Sequence, residues 1–160
     1  MAFWLFKTEP ESYSFDDLMR EPNRATDWDG VRNYQARNTL RDDVKRGDGV
    51  LIYHSSTDSP AIVGIAEVIQ EAHPDPTAFD PKSPYFDPKS KPDAPTWVQV
   101  TIRGDRALDA PISLAAIRTI PALARMDLLR KGNRLSIQPV TAAEWNTLLK
   151  YKSPIKPKKG

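Results

Sequence analysis

Seven prolines between Pro74 and Pro95 interrupt the middle of this chain, and they exclude a continuous helical architecture there. Proline cannot donate to a helix or a sheet ladder, and it drives the residue before it into extended backbone. The 160 residues hold 15 prolines in all, and His73 to Pro95 shows little hydrophobic periodicity. That segment is expected to be a long surface loop, a kind of segment that in compact domains commonly carries function or motion.

The apolar runs on either side are short. Phe3 to Lys7 has aromatic and aliphatic residues on both faces, which suits a buried central strand ended by Pro10. Ser14 suits the N-cap of a short helix reaching Arg20, with Asp16 and Asp17 in its first turn. Asp27 to Gly30 reads as turn chemistry. Asn33 suits the N-cap of a helix to Asp43, with Ala36 and Leu40 on one stripe and Arg37 and Arg41 on another. Val50 to His54 and Ala61 to Ile69 read as the strands of a hairpin, and Gly64 within the second marks a bulge or a close approach by other backbone or ligand. Trp97 to Arg103 alternates like a half-exposed strand. Ser113 caps a short helix to Ile120, and Ala122 to Leu129 suggests another. Arg134 to Val140 reads as a strand, after which Thr141 and Glu144 form a capping box for a last helix through Tyr151. Strands mixed with short helices, without regular alternation, predict one α+β domain over residues 1–151 with a curved, mainly antiparallel sheet, and a disordered basic tail over 152–160.

The chain has no cysteine, which excludes disulfides, thiolate nucleophiles and cysteine metal sites. Two histidines without cysteine do not suit structural zinc, and no glycine-rich phosphate loop, dinucleotide fingerprint or carboxylate cluster occurs, so neither metal nor cofactor is expected. The apolar run at the N-terminus is too short for a signal peptide or a membrane span. The expectation is a monomer without a membrane partner, cytoplasmic, or nuclear if the source is eukaryotic. Net charge is +2, but residues 1–117 carry 13 Lys+Arg against 19 Asp+Glu, whereas residues 118–160 carry 10 against 2. The basic C-terminal third can lie along a phosphate backbone or simply form a solvated face.

The richest candidate stretch runs from Asp27 to Ser55. Trp28, Arg32, Asn33 and Tyr34, followed by Tyr53, His54 and Ser55, suit a pocket for a planar, hydrogen-bonding ligand, and a nucleobase is one. Trp28 is either a stacking plate or a rim residue covering the core. Asn33 either reads a base edge or caps its helix. Arg32 and Arg37 either grip phosphates or pair with surface carboxylates. Ser55 and His54 point to opposite faces of a strand, so they make a poor nucleophilic pair; His54 either bonds backbone or lines the pocket.

Five motifs in order, Trp4 to Pro10, Trp28 to Asn38, Tyr53 to Ser55, Ile62 to Ala66 and Arg134 to Val140, resemble the EVE domain family. The resemblance runs from Phe3 to Leu149, with Thr8 and Ser56 as small departures from the family pattern. It implies a PUA-like pseudo-barrel of about five or six strands with short helices around it, related to YTH domains. It also implies a non-enzymatic reader of modified bases, with modified cytosine in DNA as the expected ligand. Carried onto this chain, the base pocket comprises Trp28, Arg32, Asn33, Tyr34, Tyr53, His54 and Ser55, with Leu135 and Ser136 at its edge. Arg37, Arg41, Lys131 and Arg134 are the expected phosphate contacts. Two rivals stand beside this reading: a hydrolase of a small modified nucleoside using Lys7 and Glu9, and a YTH-like reader of methylated adenine in RNA.

Overall fold

The computed structural model describes residues 1–152; the expected tail, beyond Lys152 itself, lies outside the described residues. Strands β1 (Phe3–Thr8), β2 (Ala25–Trp28), β3 (Gly49–His54), β4 (Ala61–Pro74), β5 (Val98–Ser113) and β6 (Ile137–Val140) form one six-stranded sheet in the order β2-β5-β4-β3-β1-β6. Around it lie α1 (Phe15–Arg20), α2 (Tyr34–Asp42), α3 (Leu114–Ile117) and α4 (Ala142–Lys150). The class is the α+β one expected, and β1 with β3 forms the parallel pair of an otherwise antiparallel set.

The central strands are buried on both faces, and their alternation sorts the core into two clusters. Trp4, Phe6, Val50 and Ile52 face one side with Phe15, Leu40 and Ile102. Leu5, Leu51 and Tyr53 face the other with Ile117, Leu123 and Leu148. Each fully buried aliphatic or aromatic side chain stabilises the fold by roughly 1.5–3 kcal/mol. The buried Asp48 carboxylate ties the edge of this core, accepting from Trp4 Nε1 at 2.9 Å, Ala2 N at 3.0 Å and Lys45 N at 2.8 Å. Such convergence satisfies a charge that would otherwise be costly to bury.

The helix caps follow the sequence reading. Ser14 with Asp17 and Thr141 with Glu144 make complete capping boxes, and Asn33 accepts from Ala36 N. Four differences stand out. Asp27 and Trp28, read as turn residues, instead end strand β2, which pairs with Ala25 opposite Arg103 and Trp28 opposite Val100. Strand β4 runs on to Pro74, and β5 continues past Gly104 and Pro111 to Ser113. Both survive their local breakers because they pair with each other through repeated register shifts, so long-range pairing overrides propensity. Ala122 to Leu129 is not a helix but two 3-10 turns, Pro121–Leu123 and Asp127–Leu129. The proline-rich loop is folded on itself, with a 3-10 turn at Pro76–Phe79 and a bond from Trp97 Nε1 to Asp87 Oδ2 at 2.8 Å.

Gly64 sits at the expected bulge, and what approaches it closely is a side chain, not backbone or ligand. The β3/β4 and β4/β5 registers shift beside it, and a Cβ at this position would run into the face of the Phe15 ring. Gly64→Ala is expected to lower stability by about 1–3 kcal/mol through overpacking, measured by urea denaturation with an unchanged m value.

Candidate functional site

The sheet order puts β2 and β6 at opposite edges, and these edge strands are not paired with each other among the described residues. The sheet nevertheless curls enough for Trp28 of β2 to pack on Phe6 of β1, and beside that contact lies a cleft of about 660 Å³, a volume within the usual range for a bound small molecule. One wall comes from the end of β1 (Lys7, Thr8, Glu9) with Ser55 and Ser136; the other comes from the end of β2 and the loop after it (Thr26 to Arg32). The parallel pairing of β1 with β3, which sets Thr8 opposite His54, carries both strand ends to the same rim. Tyr85 from the proline-rich loop and Arg134 close the edges.

Trp28 is embedded in its wall. Its ring lies 5.6 Å from Phe6 and 6.2 Å from Tyr13, and only 8% of the residue remains exposed. It is therefore both a core residue and part of the cleft surface, not the free-standing plate that its loop-like neighbours suggest. Tyr13, with its hydroxyl bonded to Glu21 Oε1 at 3.2 Å, lies on the same cleft; burial pushes its phenol up to about 12. Burial also lowers the Lys7 ammonium, which sits 5.9 Å over the Tyr53 ring and has no carboxylate partner within 4 Å among the described residues. Asp29 is pushed up by partial desolvation, reinforced by the Asp75 charge. The cleft thus combines an indole wall with ammonium and hydroxyl donors and carboxylate acceptors.

Arg32 does not present its guanidinium to a ligand. It spans Asp75 Oδ2 at 3.0 Å, Thr77 Oγ1 at 3.1 Å, the Tyr85 carbonyl at 2.9 and 3.1 Å, and the Val31 carbonyl at 3.0 Å. The alternative of a carboxylate partner holds at this position, but the partner is the fully buried Asp75 and not a surface group. Asp75 also accepts from Gly30 N at 2.9 Å and from Thr77 N and Oγ1 at 2.8 and 2.6 Å. Burial alone would raise this carboxyl, but the bonds from Thr77, Gly30 and Arg32 outweigh it and hold it below its ordinary value.

The remaining expected residues divide. Ser55, Ser136 and Arg134 line the cleft. Asn33, Lys131, Leu135 and again Arg134 line a smaller neighbouring one, where Asn33 spends its Oδ1 on the helix cap. Tyr34 stands outside, 62% exposed and leaning on Trp97 at 4.9 Å, with the Arg37 guanidinium 5.1 Å from its ring centre. Tyr53 packs into the core on the Leu5 face of the sheet. His54 Nε2 accepts from Phe15 N at 3.0 Å, which fixes the start of α1 and realises the backbone-bonded alternative. Arg37 donates to the Thr96 carbonyl at 2.9 Å and Arg41 pairs with Asp42 at 2.8 Å on the exposed surface, and neither residue lines a cleft. From the sequence, Lys7 and Glu9 suit pairing with each other or with arginines as well as catalysis, and Asp29 reads as a turn residue; the cleft brings all three together. Tyr85 had no local signal: what marks it is Gly30, 55 positions earlier, where a Cβ would come within 2.6 Å of the Tyr85 ring.

The architecture and cleft define a curled-sheet α+β domain with a ligand-sized opening at its seam. The chain belongs to the EVE domain family, whose model matches residues 2–151. It is 40% identical to thymocyte nuclear protein 1 of Homo sapiens over 92% of this chain and 72% of that one, and 40% identical to its Gallus gallus counterpart over 91% and 66%. Among solved structures it resembles a Pseudomonas syringae protein (41% identity, TM-score 0.87, covering 92% of this chain and 97% of that one). It equally resembles the human THYN1 protein solved in complex with 5-methylcytosine-containing DNA (39% identity, TM-score 0.87, covering 93% and 96%). A Zymomonas mobilis ASCH protein, at 9% identity and a TM-score of 0.53, shares the fold alone.

His54 gives the site a pH signature. Burial lowers its pKa, partly opposed by Asp16, so the unfolded chain binds the proton more readily than the folded one. Its contribution to stability is complete above the unfolded value of about 6.5 and is lost as pH falls through the folded value, where the protonated ring can no longer accept from Phe15 N. Melting temperature is expected to drop from pH 7 to pH 5, and His54→Gln to shrink that drop, with an NMR titration placing the His54 transition below the ordinary one.

Proposed function

We propose that this chain binds nucleic acid and takes a modified base, modified cytosine in DNA, into the cleft at the sheet seam. The observation that carries the reading is the cleft itself: the strip of Trp28 indole left open on one wall, with Lys7, Ser55, Ser136 and Asp29 able to donate to or accept from a base edge. The human relative that was solved with 5-methylcytosine-containing DNA, at a TM-score of 0.87 to this chain, lends the ligand class. In this reading the base slides against the indole, and the Asp75–Arg32 clasp keeps the opposite lip in place without touching it. The protein acts as a binding module whose discrimination rests on the cleft wall.

The direct measurement is fluorescence anisotropy at fixed salt with oligonucleotides differing in a single 5-methyl group, in single-stranded and duplex form. Tighter binding of the methylated member is expected; equal affinities would remove the reader assignment, and preference for RNA carrying methylated adenine would replace it with the YTH-like one. Trp28→Ala is a poor probe, because emptying so buried a site should cost about 3–5 kcal/mol of stability. Trp28→Phe is expected to fold and to lose about 1 kcal/mol or more of binding to the modified oligonucleotide, in line with base-aromatic stacking.

A hydrolytic reading keeps one specific support. Lys7 and Glu9 lie on the same cleft, and Lys7 is desolvated and free of a carboxylate partner among the described residues. Turnover of acylated or alkylated cytidines that disappears in Glu9→Gln would favour it, and inertness across that panel would dismiss it.

A further inference from the structure

A second cleft of about 360 Å³ adjoins the first, between the start of α2 and the loop that leads into β6. Its lining includes Arg130, Lys131 and Arg134 on one side and Asn33 and Gln35 on the other. The polar groups there are predominantly donors. Asn33 has committed its oxygen to Ala36 N, which leaves its amide NH₂ as the group to offer. Acceptors of opposite charge are scarce: residues 118–143 carry five Lys+Arg against Asp127 alone. Arg130 shares that carboxylate loosely, at 3.8 Å, while Lys131 and Arg134 have no carboxylate within 4 Å among the described residues.

The loop that carries these cations is braced. Asn133 donates from Nδ2 to the Asp127 carbonyl at 3.0 Å, accepts at Oδ1 from Leu135 N at 3.2 Å, and donates its own N–H to the Arg130 carbonyl at 3.1 Å. Gly132 makes the reversal at φ +79°, a conformation that side chains other than glycine resist. A fixed backbone reduces the ordering cost of bringing three cations to one anion. Arg134 lines both clefts, so an anion held in the smaller one is adjacent to whatever fills the larger.

We infer that the smaller cleft binds a phosphodiester of the same nucleic acid strand whose base enters the larger cleft, and in naming that partner the inference rests on the base reading above. It moves the backbone contact away from Arg37 and Arg41, which line neither cleft, and onto Arg130, Lys131 and Arg134. Two neighbouring clefts joined by one arginine then fix the strand by its phosphate and read it by its base, which is the usual division between positioning and specifying contacts.

The test is the salt dependence of binding to the 5-methylcytosine oligonucleotide and its unmodified twin. Lys131→Gln, and Lys131→Gln with Arg134→Gln, are expected to flatten the plot of log affinity against log salt by about 0.7–0.9 for each phosphate contact removed. Lys131→Gln should weaken the two oligonucleotides alike. Arg106→Gln, which removes an exposed cation outside both clefts, should leave the slope unchanged. Unchanged slopes in the cleft variants, or an equal flattening by Arg106→Gln, overturn the phosphate site. If the wild-type protein binds both oligonucleotides equally while the cleft variants still flatten the slope, the base reading falls and the phosphate site stands.

Discussion

The buried Asp75 carboxylate is the contact on which the shape of the cleft depends. It joins two segments that have no strand pairing between them: the loop from Asp29 to Arg32, through Gly30 N and the Arg32 guanidinium, and the proline-rich loop, through Thr77. Arg32 extends the clasp to the Tyr85 carbonyl, and the Tyr85 ring covers the space where a side chain at position 30 would be. Asp75 is fully buried while Arg32 keeps 21% of its side chain exposed, so removing Arg32 leaves a buried carboxylate without its counterion, a loss of up to about 3–5 kcal/mol. The arrangement explains why a loop with so many prolines holds one shape and why an arginine beside the cleft is not itself available to a ligand.

The second constraint is the curl of the sheet. β2 and β6 end the strand order, and aromatic packing rather than a hydrogen-bonded ladder ties β2 back across the sheet: Trp28 from β2 rests on Phe6 from β1 and on Tyr13. A barrel fully closed by hydrogen bonds would leave no cleft there. The open seam exposes strand ends, and the polar groups gathered there, Lys7, Thr8, Ser55 and Ser136, come from β1 and from just beyond β3 and before β6. Trp28 therefore both closes the fold and forms part of the cleft wall.

Electrostatics divide the arginines and lysines into those the fold has used and those it has not. Arg32, Arg37 and Arg41 are engaged by carboxylates or carbonyls. Lys7, Lys131 and Arg134 face the two clefts without a carboxylate partner among the described residues, and the loop carrying the latter two is held by Asn133. The net charge of the C-terminal third reports that cations are abundant there; the position of acceptors decides which of them a ligand can meet.

The amino-acid sequence alone determined what depends on near neighbours. The N-caps at Ser14 and Asn33, the capping box at Thr141, the burial of β1 on both faces, the bulge at Gly64 and the α+β class all follow from spacing and side-chain chemistry within a few residues. The five motifs also placed the chain in its family. Tertiary structure decided what depends on distant partners: that Ala25–Trp28 is a strand, because its pairing lies at Val100–Arg103; that Trp28 is embedded, because Phe6 and Tyr13 surround it; that Tyr53 faces the core and not the cleft. Which arginines remain open to a ligand was settled the same way. A side chain's donors are claimed by whichever acceptor the folded backbone brings within about 3 Å, and for Arg32 that acceptor is Asp75, 43 residues away.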